Sequence, residues 1–144
     1  MKQFYFISAI VITLLSYFVL TGISHADTFC VSDANELQNA LTTAASNIED
    51  DTIKVEQGNY IGNFTYDSTQ VHSLTIEGGY TSDCSSRNVD PTNTVLDGNG
   101  VGKILEFSAS RTKGNLKVDG LTIQNGHRGI SVNTGGASLF PTTS

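Results

Sequence analysis

Basic residues are scarce in this chain: 8 Lys and Arg stand against 14 Asp and Glu, a formal net charge of −6. Phosphate binding requires clustered Lys and Arg, and the nearest approach to a cluster is Arg111, Lys113 and Lys117, which reads as a solvated edge. Nucleic acid is excluded as a partner on that ground. Cysteine is equally sparse, with only Cys30 and Cys84 and no Cys-x-x-Cys pair. Beyond residue 26 the histidines are His72 and His127, far apart in sequence. That set does not make a metal site, and none is expected.

The one long apolar run is Phe4 to Leu20, preceded by Lys2 and followed by Ser24-His25-Ala26, small residues at the two positions a signal peptidase reads. Residues 1–26 are therefore expected to be an export signal, with a mature chain starting at Asp27. The other reading is a retained anchor, since a run of this length is near the lower limit for spanning a bilayer, although Ser8, Thr13 and Ser16 dilute it. Removing 26 of the 144 residues leaves one domain with one modest core. A chain that leaves the reducing cytoplasm with two cysteines is expected to join them; free buried thiols are the alternative.

Residues 32–47 read as the single helix. Ser32 or Asp33 caps it, Glu36 follows Asp33 by three positions as in a capping box, and Leu37, Ala40, Leu41 and Ala44 form one apolar stripe. From Thr52 onward the period changes to two. Thr52-Ile-Lys-Val55, Ser73-Leu-Thr-Ile76, Leu116-Lys-Val118 and Leu121-Thr-Ile123 alternate, and each stops at residues that tolerate positive φ. Ile53 with Val55, Leu74 with Ile76, Val95, and Leu116 with Val118 share one spacing of 21 residues, the mark of a coil whose turns cover one another. The helix would lid the first turn. Thr81–Thr94, with Pro91, is the longest loop, and Cys84 would pin it to that lid.

Leu116-Lys-Val-Asp-Gly-Leu-Thr-Ile-Gln-Asn-Gly126, followed by Gly135-Gly-Ala137, resembles a repeat of the right-handed parallel β-helix proteins of pectin-lyase-like fold, especially the polymorphic outer membrane type of bacterial surface proteins. Ile76-Glu-Gly-Gly-Tyr-Thr-Ser-Asp-Cys84 and Thr94-Val-Leu-Asp-Gly98 are similar to the rungs that precede such repeats. The resemblance implies a mainly β fold, a right-handed parallel β-helix forming a short solenoid of about four rungs with an N-terminal capping α-helix. The expected organisation is a signal peptide at 1–26, a helix cap at 27–50, rungs at 51–139 and a tail at 140–144, with the whole reading as the front portion of a longer protein. That fold carries lyases, hydrolases, adhesins and passive stalks alike.

Asp97 and Asp119 each precede a glycine and are candidates for carboxylates aligned on one side of successive rungs, where Ca²⁺ binds and Arg128 or Arg111 acts as the base of a lyase. The simpler use of Asp-Gly is a turn. Gly126-His127-Arg128-Gly129 faintly resembles a Gly-His-Gly stretch of the polygalacturonase-type hydrolases, with an Arg inserted and no paired Asp-Asp ahead of it on neighbouring strands, since the acidic pair Asp50-Asp51 precedes the first strand. Asp97, Asp119, His127 and Arg128 are accordingly candidate carbohydrate or calcium contacts. No catalytic residue is assigned, and no cofactor is expected beyond a candidate Ca²⁺. Tyr60, Phe64, Tyr66 and Tyr80 read as packed aromatics, with a sugar-stacking face as the alternative. Asn99, Asn125 and Asn133 are candidates for an internal corner ladder. The expected protein is a secreted or cell-surface interaction module without catalysis, periplasmic or extracellular if bacterial. Its partners are a polysaccharide, another surface protein or, through an open C-terminal rung, its own copies; a polysaccharide lyase or glycoside hydrolase is the alternative.

Overall fold

The computed structural model describes residues 26–109 and 114–134. Residues 1–25 of the expected export signal, Arg111 and Lys113, the Gly135-Gly-Ala137 segment and the tail at 140–144 lie outside them. Among the described residues no helix is long and apolar enough to cross a membrane.

In chain order the elements are β1 (Thr28–Val31), α1 (Ala34–Ser46), β2 (Asp51–Glu56), β3 (Gly58–Ile61), β4 (Phe64–Ser68), β5 (Leu74–Tyr80), β6 (Thr94–Asp97), β7 (Lys103–Ala109), β8 (Leu116–Asp119), β9 (Thr122–Gln124) and β10 (Arg128–Thr134). The helix starts where its cap predicts. The Asp33 carboxylate accepts from the backbone N–H groups of Asn35 and Glu36 at 2.8 Å, while the Glu36 carboxylate reaches back to the Ser32 N–H and hydroxyl, also at 2.8 Å. These bonds satisfy donors that a helix start leaves open. The expected stripe of Leu37, Ala40, Leu41 and Ala44 is buried.

The strands form three parallel sheets, ordered β1-β2-β5-β8, β3-β6-β9 and β10-β7-β4. After β2 the chain visits them in fixed rotation. Alternation decides which side chains point inward: Ile53, Val55, Ile76, Leu96 and Leu105 are at most 1 % exposed, and burying each is worth about 1.5–3 kcal/mol. Tyr60, Phe64, Tyr66 and Tyr80 are buried with them, so these rings serve packing. Tyr66 and Phe107 meet at 5.9 Å between ring centres.

The expected fold class is corrected. Instead of a mainly β right-handed parallel β-helix of about four rungs, the strands of the described residues lie in three separate short parallel sheets beside one helix, an α/β-type arrangement. The common 21-residue spacing does not survive in the ladders. In the first sheet Thr28 lies against Thr52, Ile53 against Ile76 and Leu74 against Leu116, steps of 24, 23 and 42 residues. Val95, expected in the same slot as Ile53 and Ile76, is instead in the second sheet between Asn59 and Thr122, and its neighbour Leu96 is the inward residue. Backbone register and inserted loops set these distances, and an apolar residue recurring in the sequence does not identify its sheet.

Two further details differ from expectation. Residues 27–50 hold β1 as well as the helix, and Cys30 belongs to β1. The Cys30–Cys84 disulfide is formed as expected, with α-carbons 5.9 Å apart, and it ties the loop of Cys84 to the 27–50 segment through β1, at the edge of the first sheet, rather than through the helix itself. The helix seals another edge. The Gln38 side-chain amide accepts from the Thr65 N–H at 2.9 Å and donates to the Thr65 carbonyl at 2.9 Å, standing in for the neighbour that β4 lacks in the third sheet.

Candidate functional site

Two turns at one end of the second sheet make a cleft of about 530 Å³, lined by Ile61, Asp97, Asn99, Gly100, Asn125, Gly126 and His127. Its position follows from the β3-β6-β9 ladder, which places Ile61, Asp97 and Gln124 side by side. Beyond each strand end the chain must reverse sharply. Asn99 and Asn125 adopt φ of 49° and 57°, the left-handed region that Asn tolerates better than most residues. The turns also pack against each other too closely for side chains, because a Cβ on Gly98 would lie 2.7 Å from Ile104 Cγ1 and 2.9 Å from the Asn125 carbonyl.

Asp97 organises the cleft. Its carboxylate accepts from the Asn99 N–H at 2.8 Å, the Asn125 amide at 2.8 Å and the Gln124 amide at 3.1 Å. Those bonds, the Asn99 N–H first, hold its carboxyl below the usual range. Gly100 donates to the Asn125 carbonyl at 2.6 Å, and the His127 N–H donates to the Gly102 carbonyl at 2.9 Å. Asn99 and Asn125 are thus turn residues at an exposed cleft rather than members of an internal ladder, and Asn133 is an exposed residue of β10.

The four candidate contacts separate. Asp97 and His127 share the cleft, and Arg128, the first residue of β10, follows it. Asp119 is in the first sheet, on β8, and does not line the cleft. It belongs to a charged network that the sequence reading missed. Arg87, from the Thr81–Asn93 loop, pairs with Asp119 at 3.1 Å and Glu77 at 3.7 Å, and Lys117 reaches Glu77 at 3.2 Å and Asp119 at 3.8 Å. The same guanidinium donates to the Gly78 carbonyl at 2.9 Å and lies over the Tyr80 ring. Burial pushes the Glu77 carboxyl up, but hydrogen bonds from Tyr80 and Lys117 and the Arg87 and Lys117 charges outweigh it and hold the group below its usual value. Burial and the bond to Glu77 raise the Tyr80 hydroxyl. With the disulfide, this network clamps the long loop onto the first sheet. Its one readable signal was a lone Arg in a Ser/Asn/Asp loop opposite Glu77.

Cation ligation has little to draw on in these places. Asp97 and Asp119 sit in different sheets. Cys30, Glu56 and Cys84 bring ligand-type atoms within 4.8 Å of one another, but both sulfurs are consumed by the disulfide. The cleft instead offers a carboxylate, two amides, an imidazole and one exposed aliphatic side chain, Ile61 at 58 % exposure, a set suited to hydrogen-bonding a polar ligand. Comparison of the chain with protein-family models, with curated proteins and with solved structures finds no match.

Proposed function

We propose that the protein is an exported interaction module of the cell surface or extracellular space, that it performs no catalysis, and that the cleft around Asp97 and His127 is its contact for a polysaccharide or another surface protein. The disulfide supports the compartment, since such bonds persist in oxidising surroundings. The observation that carries the rest is the state of Asp97. It is the one carboxylate lining the cleft, and three donors already hold it in the turn. Hydrolysis of a glycosidic bond uses two carboxyl groups across the scissile bond, one of them free to give a proton. A carboxylate fixed below its normal range is a poor proton donor and a good acceptor for a ligand hydroxyl. The test is incubation of the purified protein with pectin, polygalacturonate and neutral polymers, reading retention on the polymer beside new reducing or unsaturated ends. Retention without new ends, weakened in His127→Ala, is expected. Release of new ends that vanishes in Asp97→Ala would make the protein an enzyme and end this reading.

A further inference from the structure

Each of the three sheets finishes at the same end of the molecule, with β8, β9 and β10 as edge strands that have no further partner among the described residues. The ladders show what this does to the core. Leu74 is 2 % exposed, and Leu116, its partner in register, is half-buried; Ile76 and Val118 repeat the pattern. In the second sheet Leu96 is fully buried and Ile123 half-buried. In the third, Leu105 is fully buried while Ile130 is 46 % exposed, and Phe107 gives way to half-buried Val132. Five inward positions in three sheets lose burial together, so this is an unfinished core and not scattered surface apolar residues.

We propose that two copies of this chain associate through this end, the β8-β9-β10 edges and the apolar side chains beneath them facing their counterparts. Two observations choose a second copy in this orientation. At the opposite end α1 covers the β4 edge of the third sheet, with Gln38 bonded to both backbone groups of Thr65 and the Ser68 hydroxyl donating to the Ala45 carbonyl. A head-to-tail stack would have to displace the helix, which leaves a closed, isologous pair. Charge points the same way. Of the 14 acidic residues only Asp119 follows Glu106, and Arg87 already pairs with it, whereas Lys117 and Arg128 stand on the edge strands themselves. The open end therefore carries little of the net negative charge of an otherwise acidic molecule, and Lys117 is already paired with Glu77 and Asp119. Association would bury the exposed backbone of three edges at once, which removes the template they otherwise present to other chains.

Sedimentation equilibrium of the purified protein, as exported, tests the proposal. The expected mass is that of a dimer without larger species, with slow amide exchange in β8, β9 and β10. Ile130→Lys puts a charge into the contact at a site already half-exposed in one copy, so the fold tolerates it, as retention of the disulfide and of the circular dichroism spectrum would show. It should weaken dimerisation by about 100-fold or more. Ile48→Lys, at a site 70 % exposed near the helix end, should leave the dimer intact. A monomer with protected β8–β10 would mean that residues beyond Thr134 finish the core themselves. That result, a dimer unaffected by Ile130→Lys, or a dimer lost with Ile48→Lys would overturn the proposal.

Discussion

Replacing both cysteines, Cys30→Ser with Cys84→Ser, isolates the largest single constraint on this chain. The bridge spans a sequence separation of 54 residues, and closing a loop of that size removes about 4 kcal/mol of conformational entropy from the unfolded chain in the loop-closure model. The folded state should lose little by comparison, because the loop carrying Cys84 is held independently: Arg87 is paired with Asp119 and Glu77, and Asn88 donates to the Gly79 carbonyl at 2.9 Å. The substitution therefore acts through the unfolded state. Urea titration followed by circular dichroism should give a midpoint corresponding to about 4 kcal/mol less stability and a slightly steeper slope, since the uncrosslinked unfolded chain exposes more surface. For a domain of about 100 residues that is a fall of roughly 20 °C in Tm, and it removes much of the 5–15 kcal/mol typical of such domains. Wild-type protein treated with reductant should behave like the double variant, because Cys30 is exposed. A loss under about 1 kcal/mol would refute the reasoning, showing that the network around Arg87 holds the loop closed even in the unfolded ensemble. Two alkylatable thiols in the untreated protein would refute it sooner.

Leu96 and Ile123 are partners in register and differ in burial, so Leu96→Ala should cost about 2–5 kcal/mol and Ile123→Ala distinctly less under conditions that keep the protein monomeric, measured by the same urea titration. Burial raises the Asp51 carboxyl, with the Asn47 amide opposing the shift. A folded-state pKa above the unfolded one gives stability that is complete below the unfolded value near 3.8 and fades as pH rises through the folded value; Asp51→Asn should abolish that decline. Glu77 has the opposite sign. Its folded carboxyl lies below 4.5, so its contribution holds above pH 4.5 and disappears as pH falls through the folded value, and Glu77→Gln should flatten the acid side of the stability profile. Identical pH profiles for wild type and either variant would refute the corresponding assignment.

The sequence by itself determined the elements whose causes are local. The helix was legible because Asp33, Glu36 and the Leu37-Ala40-Leu41-Ala44 stripe all lie within its own four turns, and cap and stripe together fix both its start and its buried face. The inward residues of β2, β5 and β8 were legible because a strand sends alternate side chains to one face whatever it pairs with. Pairing the two cysteines needed only their number and the expectation that the chain is exported.

What only the tertiary structure decided is which strand lies beside which. The step between neighbours in the first sheet runs from 23 to 42 residues; two strands intervene both between β2 and β5 and between β5 and β8, but the second interval also holds the Thr81–Asn93 loop, and no period in the sequence encodes an insertion of that size. One consequence is the placement of Val95, which matched a spacing yet sits in another sheet with the opposite face inward. The short strands β1, β3 and β4 escaped the sequence reading for a related reason, although Phe64-Thr-Tyr-Asp-Ser68 does alternate. The site follows the same rule. Asp97 and His127 are 30 residues apart and meet because β6 and β9 pair in parallel and end together, whereas Asp119, which precedes a glycine as Asp97 does, ends in another sheet beside an arginine that only the folded loop delivers. Local preference selects helix, strand and turn; backbone register, fixed by packing many residues at once, selects the neighbours that turn side chains into a site.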